Sequence, residues 1–324
     1  MRSMRWFAAL LLPLLAACGG TTGATGGGSA RSSPLPEPVI VGVGIDASYA
    51  CFFVGDQEGI FKKYGLDVQL KQFEQGGLGV DAVVANQIQF SGTSDANALT
   101  KAGATDSLRI VSVYESSGKY VKVVARKGIS SVKDMKKIGV VKSSLSEYAA
   151  SKLLAANGIE ESRVQFVPVS PADIPALLSR GDIDGTVIWE PWPTQAEKLG
   201  AKVIGTTGDF GYRYEQVLVA KQDWLSSHRQ YAIRFNQALA EACRRVTTDV
   251  PGTIKADSAA SNGNIDEAAT RMATDNIAFQ NRPPNAQDEQ SYRSIVDWQR
   301  SRGLITKPLD LGTIVTTAYW PAQR

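Results

Sequence analysis

Histidine and cysteine are scarce in this chain. Its 324 residues contain one histidine and three cysteines. The histidine, His228, lies on a polar stretch between Ser227 and Arg229, and no two cysteines have the Cys-x-x-Cys spacing. Zinc sites and Cys/His nucleophilic sites need such residues in clusters. We therefore expect no metal site, no cofactor and no catalytic residues.

The chain also lacks an excess of charge of either sign. Its formal net charge is +3, with 21% charged and 43% hydrophobic residues. Arg2 and Arg5 belong to a segment that we predict to be removed, which leaves 33 basic against 32 acidic side chains. This balance argues against a nucleic-acid partner. Length and composition suit a globular protein with two domains.

The apolar run at residues 6–15 is too short to span a bilayer and follows a basic start, which is the layout of a secretory signal. Leu-Ala-Ala-Cys at 15–18 resembles the bacterial lipobox, in which the cysteine is lipidated. We predict a signal peptide over 1–17, a lipid on Cys18 and a flexible tether over 18–38, where Gly, Thr, Ser and Pro dominate. The alternative is a plain signal peptide with a chance cysteine.

The remaining cysteines, Cys51 and Cys243, lie far apart, each inside an apolar helical pattern. Export would permit a disulfide between them. Two buried free thiols are the interpretation that we favour, because cysteine packs as a small apolar side chain.

The most informative stretch is residues 180–199. Turn formers at 181–182 precede a β-branched and aromatic run at 186–189, and Pro191 suits the first turn of a helix. Trp189 and Glu190 are therefore predicted at the carboxyl end of a buried strand. In open α/β sheets ligands bind at that end, beside helix N-termini. The alternative is that Trp189 and Trp192 are core aromatics.

Other polar residues fall at similar strand-to-helix junctions. Ser48 and Tyr49 follow the first predicted strand, Ser94 is a natural helix N-cap after a later one, and Ser144 and Ser146 open a helix beyond the strand at 138–141. Lys142 could add a positive charge there. Capping alone would also explain these serines.

Strands alternate with helices at short spacing through most of the chain. This pattern predicts an α/β fold with two parallel-sheet lobes, the middle one inserted into the first. From Asp223 to Arg302 the pattern is helical, and Tyr231, Phe235 and Leu239 recur at the spacing of a core-facing stripe.

Gly-Asp-Ile-Asp-Gly at 181–185, followed by Trp-Glu-Pro-Trp at 189–192, resembles the periplasmic substrate-binding proteins of ABC importers for nitrate, sulfonates, taurine and thiamine-pyrimidine precursors. The likeness runs from about Val39 to about Asp310. It implies the type II periplasmic-binding-protein fold, with a cleft between two lobes joined by two crossings. On this basis we assign 39–126 and 217–324 to lobe 1 and 127–216 to lobe 2. We place the first crossing near 126–128 and the second at 209–216.

The resemblance also implies roles for the candidate residues. Ser94, Ser144 and Ser146 fall where the family holds the ligand's anionic head, and Trp189 falls where an aromatic ring packs on its body. Glu190 would accept a hydrogen bond from an amine or ring N–H. The full set of predicted ligand contacts is Ser48, Tyr49, Ser94, Ser144, Ser146, Trp189, Glu190 and Tyr212. Aromatic residues near the predicted cleft favour a ligand with an apolar or planar part.

The resemblance therefore implies an extracytoplasmic solute-binding protein, not an enzyme. It would capture a small organic anion or zwitterion, sulfonate- or taurine-like or aromatic, by hinge closure. Its partners would be the membrane subunits of an ABC permease with a cytoplasmic ATPase, and we expect a monomer anchored in the periplasm or on the cell surface by its lipid. Two alternatives remain: an enzyme of the pyrimidine-synthase or lyase type on the same fold, and a ligand-sensing protein.

Overall fold

The structure is a computed structural model that describes residues 38–321. The predicted signal peptide, Cys18 and nearly all of the predicted tether lie outside that range. The strands, in chain order, are β1 Val39–Val43, β2 Val68–Gln72, β3 Phe90–Ser94, β4 Leu108–Ser117, β5 Lys122–Ala125, β6 Lys137–Val140, β7 Gln165–Pro168, β8 Gly185–Ile188, β9 Lys202–Thr206, β10 Tyr214–Lys221 and β11 Ala278–Arg282.

Helices connect and cover these strands. The α-helices are α1 Ala50–Gln57, α2 Ile60–Lys63, α3 Gly76–Val84, α4 Asp95–Ala102, α5 Leu145–Ala156, α6 Ile174–Arg180, α7 Trp192–Lys198, α8 Gln222–Ser227, α9 Arg229–Thr248, α10 Val250–Ala260, α11 Glu267–Asn276, α12 Ala286–Ser301 and α13 Leu311–Ile314. Short 3₁₀ helices occupy Ala47–Tyr49, Val132–Asp134, Glu161–Arg163, Pro171–Asp173 and Thr207–Phe210.

The strands form two sheets. The first has the order β11-β4-β10-β3-β1-β2 and the second the order β7-β6-β8-β5-β9. We call the part built on the first sheet the first lobe (38–117 and 214–321) and the part built on the second sheet the second lobe (122–206). Two crossing segments, 118–121 and 207–213, connect them. The predicted two-lobed α/β architecture is confirmed.

The sheets are mixed, whereas the sequence predicted parallel ones. β1 runs parallel to β2 and β3, and β6 runs parallel to β7 and β8. β5 and β10 run antiparallel to their neighbours. Each of these two strands directly follows a crossing, so it enters its sheet from the edge at which the parallel strands end. The carboxyl ends of the parallel strands and the amino ends of β5 and β10 therefore share one edge in each lobe.

The first crossing lies earlier in the chain than predicted. Residues up to 126 were assigned to lobe 1, with the crossing near 126–128, but β5 pairs with β8 and β9 and so belongs to the second sheet. The pattern of β5 is that of a buried strand, which fits either sheet equally well. The second crossing, 207–213, overlaps the predicted one, and β10 begins slightly before the predicted boundary.

The two crossing segments touch through their backbones. The Gly208 amide donates to the Gly118 carbonyl at 2.7 Å. A Cβ atom added to Gly208 would lie 2.8 Å from that carbonyl oxygen, and one added to Gly118 would lie 3.1 Å from the Gly208 Cα. No larger residue fits at either position without moving the backbone.

Cys51 on α1 and Cys243 on α9 form a disulfide, with their Cα atoms 4.5 Å apart. The prediction of two free thiols is therefore wrong. Each cysteine does lie on an apolar helix face, as expected, but the sequence did not reveal that the two faces meet. Both residues are fully buried in the first lobe.

The first lobe holds most of the large buried side chains. Tyr231, Phe235 and Leu239 are all buried, which confirms the predicted core stripe of α9. The predicted uninterrupted helical stretch after Asp223 is wrong at one place, because β11 forms the edge of the first sheet there. Among the residues that the structure describes, no helix is long and apolar enough to cross a membrane.

Candidate functional site

A cavity lies between the two lobes, and the residues that line it lie near the strand ends described above. The first lobe contributes residues after β1 and β2, the end of β3 and the start of β10: Gly44, Asp46, Ser48, Tyr49, Glu74, Gln75, Gly76, Ser94, Asn97, Tyr214 and Gln216. The first crossing and the second lobe contribute Tyr120, Val121, Val141, Ser144, Leu145 and Trp189. The cavity volume is about 30 Å³, so the cleft is narrow.

Five of the eight predicted contact residues line this cavity: Ser48, Tyr49, Ser94, Ser144 and Trp189. All five were predicted from their positions at strand-to-helix junctions. Trp189 is half-buried, and Trp192 is buried in the core of the second lobe. The core interpretation of the two tryptophans therefore holds for Trp192, while Trp189 faces the cavity.

The predicted contacts Ser146, Glu190 and Tyr212 do not line the cavity. Ser146 Oγ accepts from the Val141 amide at 3.3 Å. Glu190, which is 4% exposed, accepts from Lys122 Nζ at 2.5 Å and from the Thr194 amide at 3.2 Å. The carboxylate is thus already paired within the second lobe, which sequence spacing could not reveal because Lys122 lies on another strand.

Tyr212 joins the second crossing to the first lobe. Its hydroxyl donates to Asp95 Oδ1 at 2.9 Å, and its ring packs edge-on against Tyr148. Asp95 also accepts from the amides of Ala96 and Glu215. Burial raises the pKa of Asp95 to about 7, and these hydrogen bonds only partly oppose that rise.

The serines at the two helix starts act as caps. Ser94 Oγ accepts from the Asn97 amide at 3.3 Å at the start of α4. Ser144 Oγ accepts from the Ser146 amide at 3.1 Å and donates to the Val141 carbonyl at 2.6 Å. Capping and cavity lining thus coincide at both serines. The first turns of α4 and α5 bring their positive helix ends to the cavity.

Asp46 is a lining residue that the sequence reasoning passed over. It follows β1 and is 8% exposed. One carboxylate oxygen accepts from the Ser48 amide at 2.9 Å and from the Tyr120 hydroxyl at 3.1 Å. Burial raises the pKa of Asp46, and its hydrogen bonds to Ser48 and Tyr120 act in the opposite direction. Its position directly after the first strand was the available signal.

Gln216 and Tyr214 also line the cavity, from the start of β10. Gln216 is paired with Ser94 on β3 and with Glu115 on β4, so these three side chains share one face of the first sheet. Within residues 38–321, Gln216 Oε1, the Tyr214 hydroxyl and both carboxylate oxygens of Glu115 are buried without a hydrogen-bond partner. Burial, and after it the charge of Asp46, raises the pKa of Glu115 well above its usual value.

The described residues that line the cavity include no lysine, arginine or histidine. Lys142, which the sequence suggested as a charge near the helix start, is exposed and lies outside the lining. Across residues 38–321, no three His, Cys, Asp or Glu side chains group as metal ligands would. Two sheets with a polar, aromatic cavity between them define a two-lobed α/β fold with a cleft of the kind in which ligands bind.

The sequence comparison identifies the family. Residues 32–261, well over half of the chain, match the model of the NMT1-like family, and the chain belongs to it. A relative among characterised proteins is the taurine-binding periplasmic protein of Escherichia coli (strain K12), 25% identical over 185 residues, which are 56% of this chain and 58% of the relative. The chain thus matches little more than half of that relative's length.

Solved structures agree on the fold. The periplasmic aliphatic sulphonate binding protein SsuA from Escherichia coli has a TM-score of 0.76 at 18% identity, covering 90% of this chain and 95% of that one. The alkanesulfonate-binding protein SsuA from Xanthomonas axonopodis pv. citri, bound to MOPS, has a TM-score of 0.75 at 18% identity, covering 87% and 98%. The predicted family resemblance and the periplasmic-binding-protein fold are confirmed.

Proposed function

We propose that this protein is the extracytoplasmic solute-binding component of an ABC importer and captures a small organic sulfonate, zwitterion or related acid. The observation that carries the proposal is the cavity lined jointly by Tyr49 and Ser94 of the first lobe and by Ser144 and Trp189 of the second. Since a ligand there touches both lobes, it adds contacts only when the lobes come together. The similarity to taurine- and sulfonate-binding proteins supports this ligand class.

The mechanism is closure about the crossing segments. The Gly118–Gly208 contact holds the two segments together, and the strands that follow them, β5 and β10, start beside the cavity. Ligand binding shifts the population toward the closed form, because only that form supplies contacts from both lobes. The membrane subunits of the permease, with their cytoplasmic ATPase, would recognise the closed form.

The cellular setting is part of the proposal. A lipid on Cys18 would anchor the protein in the periplasm or at the cell surface, and the protein would act as a monomer. Mass spectrometry of the membrane fraction tests the anchor: a diacylglyceryl mass on the N-terminal cysteine supports it, and an unmodified mature chain contradicts it.

The function is tested by a ligand screen on the purified protein. Thermal shift and calorimetry would cover taurine, alkyl and aryl sulfonates, nitrate, aromatic carboxylates and aminopyrimidines. A ligand at about 100 times its Kd adds roughly 2.7 kcal/mol to the free energy of unfolding, which gives a clear shift. Small-angle scattering with the same ligand should show a smaller radius of gyration. A folded protein that none of these compounds stabilises would contradict the proposal.

We also propose that binding involves no chemical conversion. NMR spectra of the ligand recovered after prolonged incubation should match those of the starting compound. Appearance of a product at a rate proportional to protein concentration would instead indicate an enzyme.

A further inference from the structure

The charges around the cavity are of one sign. Asp46 and Glu74 line it, whereas none of the described lining residues is cationic. The nearby cation Lys122 is already paired with Glu190 at 2.5 Å. A ligand that carried only negative charge would enter this site without a compensating cation, and charge repulsion would oppose it.

The first lobe also presents a side-chain acceptor that lacks a donor. Gln216 is 8% exposed and lines the cavity, and its Oε1 has no hydrogen-bond partner among the described residues. Buried acceptors are nearly always paired, because water is lost without replacement otherwise. Gln216 Oε1 therefore calls for a ligand with an N–H donor at this end of the cavity.

Aromatic rings complete this end of the site. Tyr49 and Tyr214 of the first lobe and Tyr120 of the first crossing line this end of the cavity. The faces of such rings attract cations, above all where carboxylates lie beside them. Asp46 accepts from the Tyr120 hydroxyl, which holds a carboxylate next to one of these rings.

The second lobe differs from the first in the charge of its lining residues. Its lining residues are Val141, Ser144, Leu145 and Trp189, none of which is acidic. Ser144 and Leu145 mark the start of α5, a helix of 12 residues whose positive end favours an acidic group. The start of α4 also faces the cavity from the first lobe, so the two walls differ in their acidic side chains, which only the first lobe contributes among the described lining residues.

We propose that the cleft selects zwitterions: a protonated primary or secondary amine is held by Asp46 and Gln216 of the first lobe, while the ligand's sulfonate or carboxylate faces the start of α5 in the second lobe. This inference rests on the proposed solute-binding function and specifies its ligand class. It assigns to Asp46 and Gln216 the amine recognition that the sequence suggested for Glu190.

Matched ligand pairs test it by calorimetry at pH 7. Taurine is compared with ethanesulfonate, which lacks the amine, and with isethionate, which has a hydroxyl in its place; β-alanine is compared with propionate. We expect the amine of at least one pair to strengthen binding by 100-fold or more. Equal affinities for ethanesulfonate and taurine would overturn the inference while leaving the proposed function intact. Absence of binding by every compound in both this set and the wider screen would overturn both.

Variants locate the amine site. Asp46→Asn keeps a good cap for the 3₁₀ helix Ala47–Tyr49 and should reduce the preference for amine over hydroxyl at least tenfold. Gln216→Leu should reduce it several-fold. Glu197→Gln, the matched control, removes a negative charge from an exposed residue of α7 outside the cavity lining and should change it less than threefold. Melting curves check that each variant folds. An unchanged amine preference in folded Asp46→Asn would overturn the assignment.

Discussion

The two lobes treat their buried carboxylates differently. In the second lobe, Asp184 accepts from Arg126 at 2.8 Å and Glu190 accepts from Lys122. Burial alone would raise the pKa of Asp184, but hydrogen bonds from the Lys136 amide and Arg126 bring it below its usual value. The second lobe thus neutralises its buried acids with its own cations.

The first lobe pairs two of its buried acids with Arg282 but leaves several others without a cation. Asp46, Asp95, Glu115 and Asp257 are bonded to amides and hydroxyls, or to nothing among the described residues. Burial disfavours the charged form of such a carboxylate, so a nearby positive charge or a bound proton stabilises it. These acids therefore lie in the lobe that is larger and cross-linked by Cys51–Cys243.

The largest expected effect concerns the cross-link of the first lobe. The disulfide joins residues 192 positions apart, so it removes much chain entropy from the unfolded state. Replacing both cysteines by alanine should lower the free energy of unfolding by about 5 kcal/mol. Urea unfolding followed by tryptophan fluorescence measures this. The uncertainty of such a measurement is about 0.5 kcal/mol. A free energy of unfolding within about 1 kcal/mol of the wild-type value in the double variant would show that the first lobe does not depend on its cross-link.

The next prediction removes the cation of the second lobe. Lys122→Met leaves Glu190 buried without its partner and should cost about 3 kcal/mol of stability, a typical value for breaking a buried pair. Adding Glu190→Gln should recover part of that loss, because no unpaired charge remains. Denaturant unfolding of both variants measures the effect. Equal loss in the single and double variants would argue against the pairing as the cause.

A smaller effect is expected from an uncompensated acid of the first lobe. Thr270 Oγ1 donates to Asp257 at 2.7 Å, and burial raises the pKa of Asp257 to about 7. A raised folded-state pKa means that this acid stabilises the fold at low pH and that the contribution is lost as pH rises from about 4 to about 7.

The wild type should therefore lose about 2 kcal/mol more stability between pH 5 and pH 8 than Asp257→Asn does. The free energy of unfolding is compared between the two pH values within each protein, so any pH-independent cost of the substitution cancels. Asp184→Asn is the matched control: its parent carboxyl has a lowered pKa and is ionised at both pH values, so this variant should show the same change in stability between pH 5 and pH 8 as the wild type. Parallel pH profiles for wild type and Asp257→Asn would contradict the prediction.

The smallest effect concerns ligand contact from the second lobe. Trp189→Ala should weaken binding of the ligand found in the screen at least tenfold, about 1.4 kcal/mol, through lost ring contact. Trp192→Phe, a change in the neighbouring core, should leave affinity within threefold. Titration calorimetry provides the values. Unchanged affinity in Trp189→Ala would confine recognition to the first lobe.

Local patterns predicted much of the fold, because strand and helix signals are local. They could not assign β5 to a sheet, since its apolar residues suit either one, nor predict the antiparallel entry of β5 and β10. They also could not pair Cys51 with Cys243, because the contact between α1 and α9 depends on the packing of the whole lobe.

For the site, the strand ends indicated five lining residues correctly. The sequence missed Gln216, which lies within a buried strand whose side chains alternate between faces, and it misjudged Glu190, whose partner Lys122 comes from a strand 68 residues away in sequence. Which acids are paired with cations depends on the assembled lobe. The sequence alone therefore could not predict the sign of the charge that lines the cavity.

The backbone contact between Gly118 and Gly208 limits the ways in which the lobes can move. Two connections held side by side remove most of the rotational freedom that a single linker would allow, and leave mainly rotation about one axis through the contact. Opening then changes one angle, so the two walls separate along a fixed path. A bulky residue at either glycine would displace that axis. Asp46 and Gln216 would then be misaligned with the start of α5 in the closed form, even if each lobe remained folded.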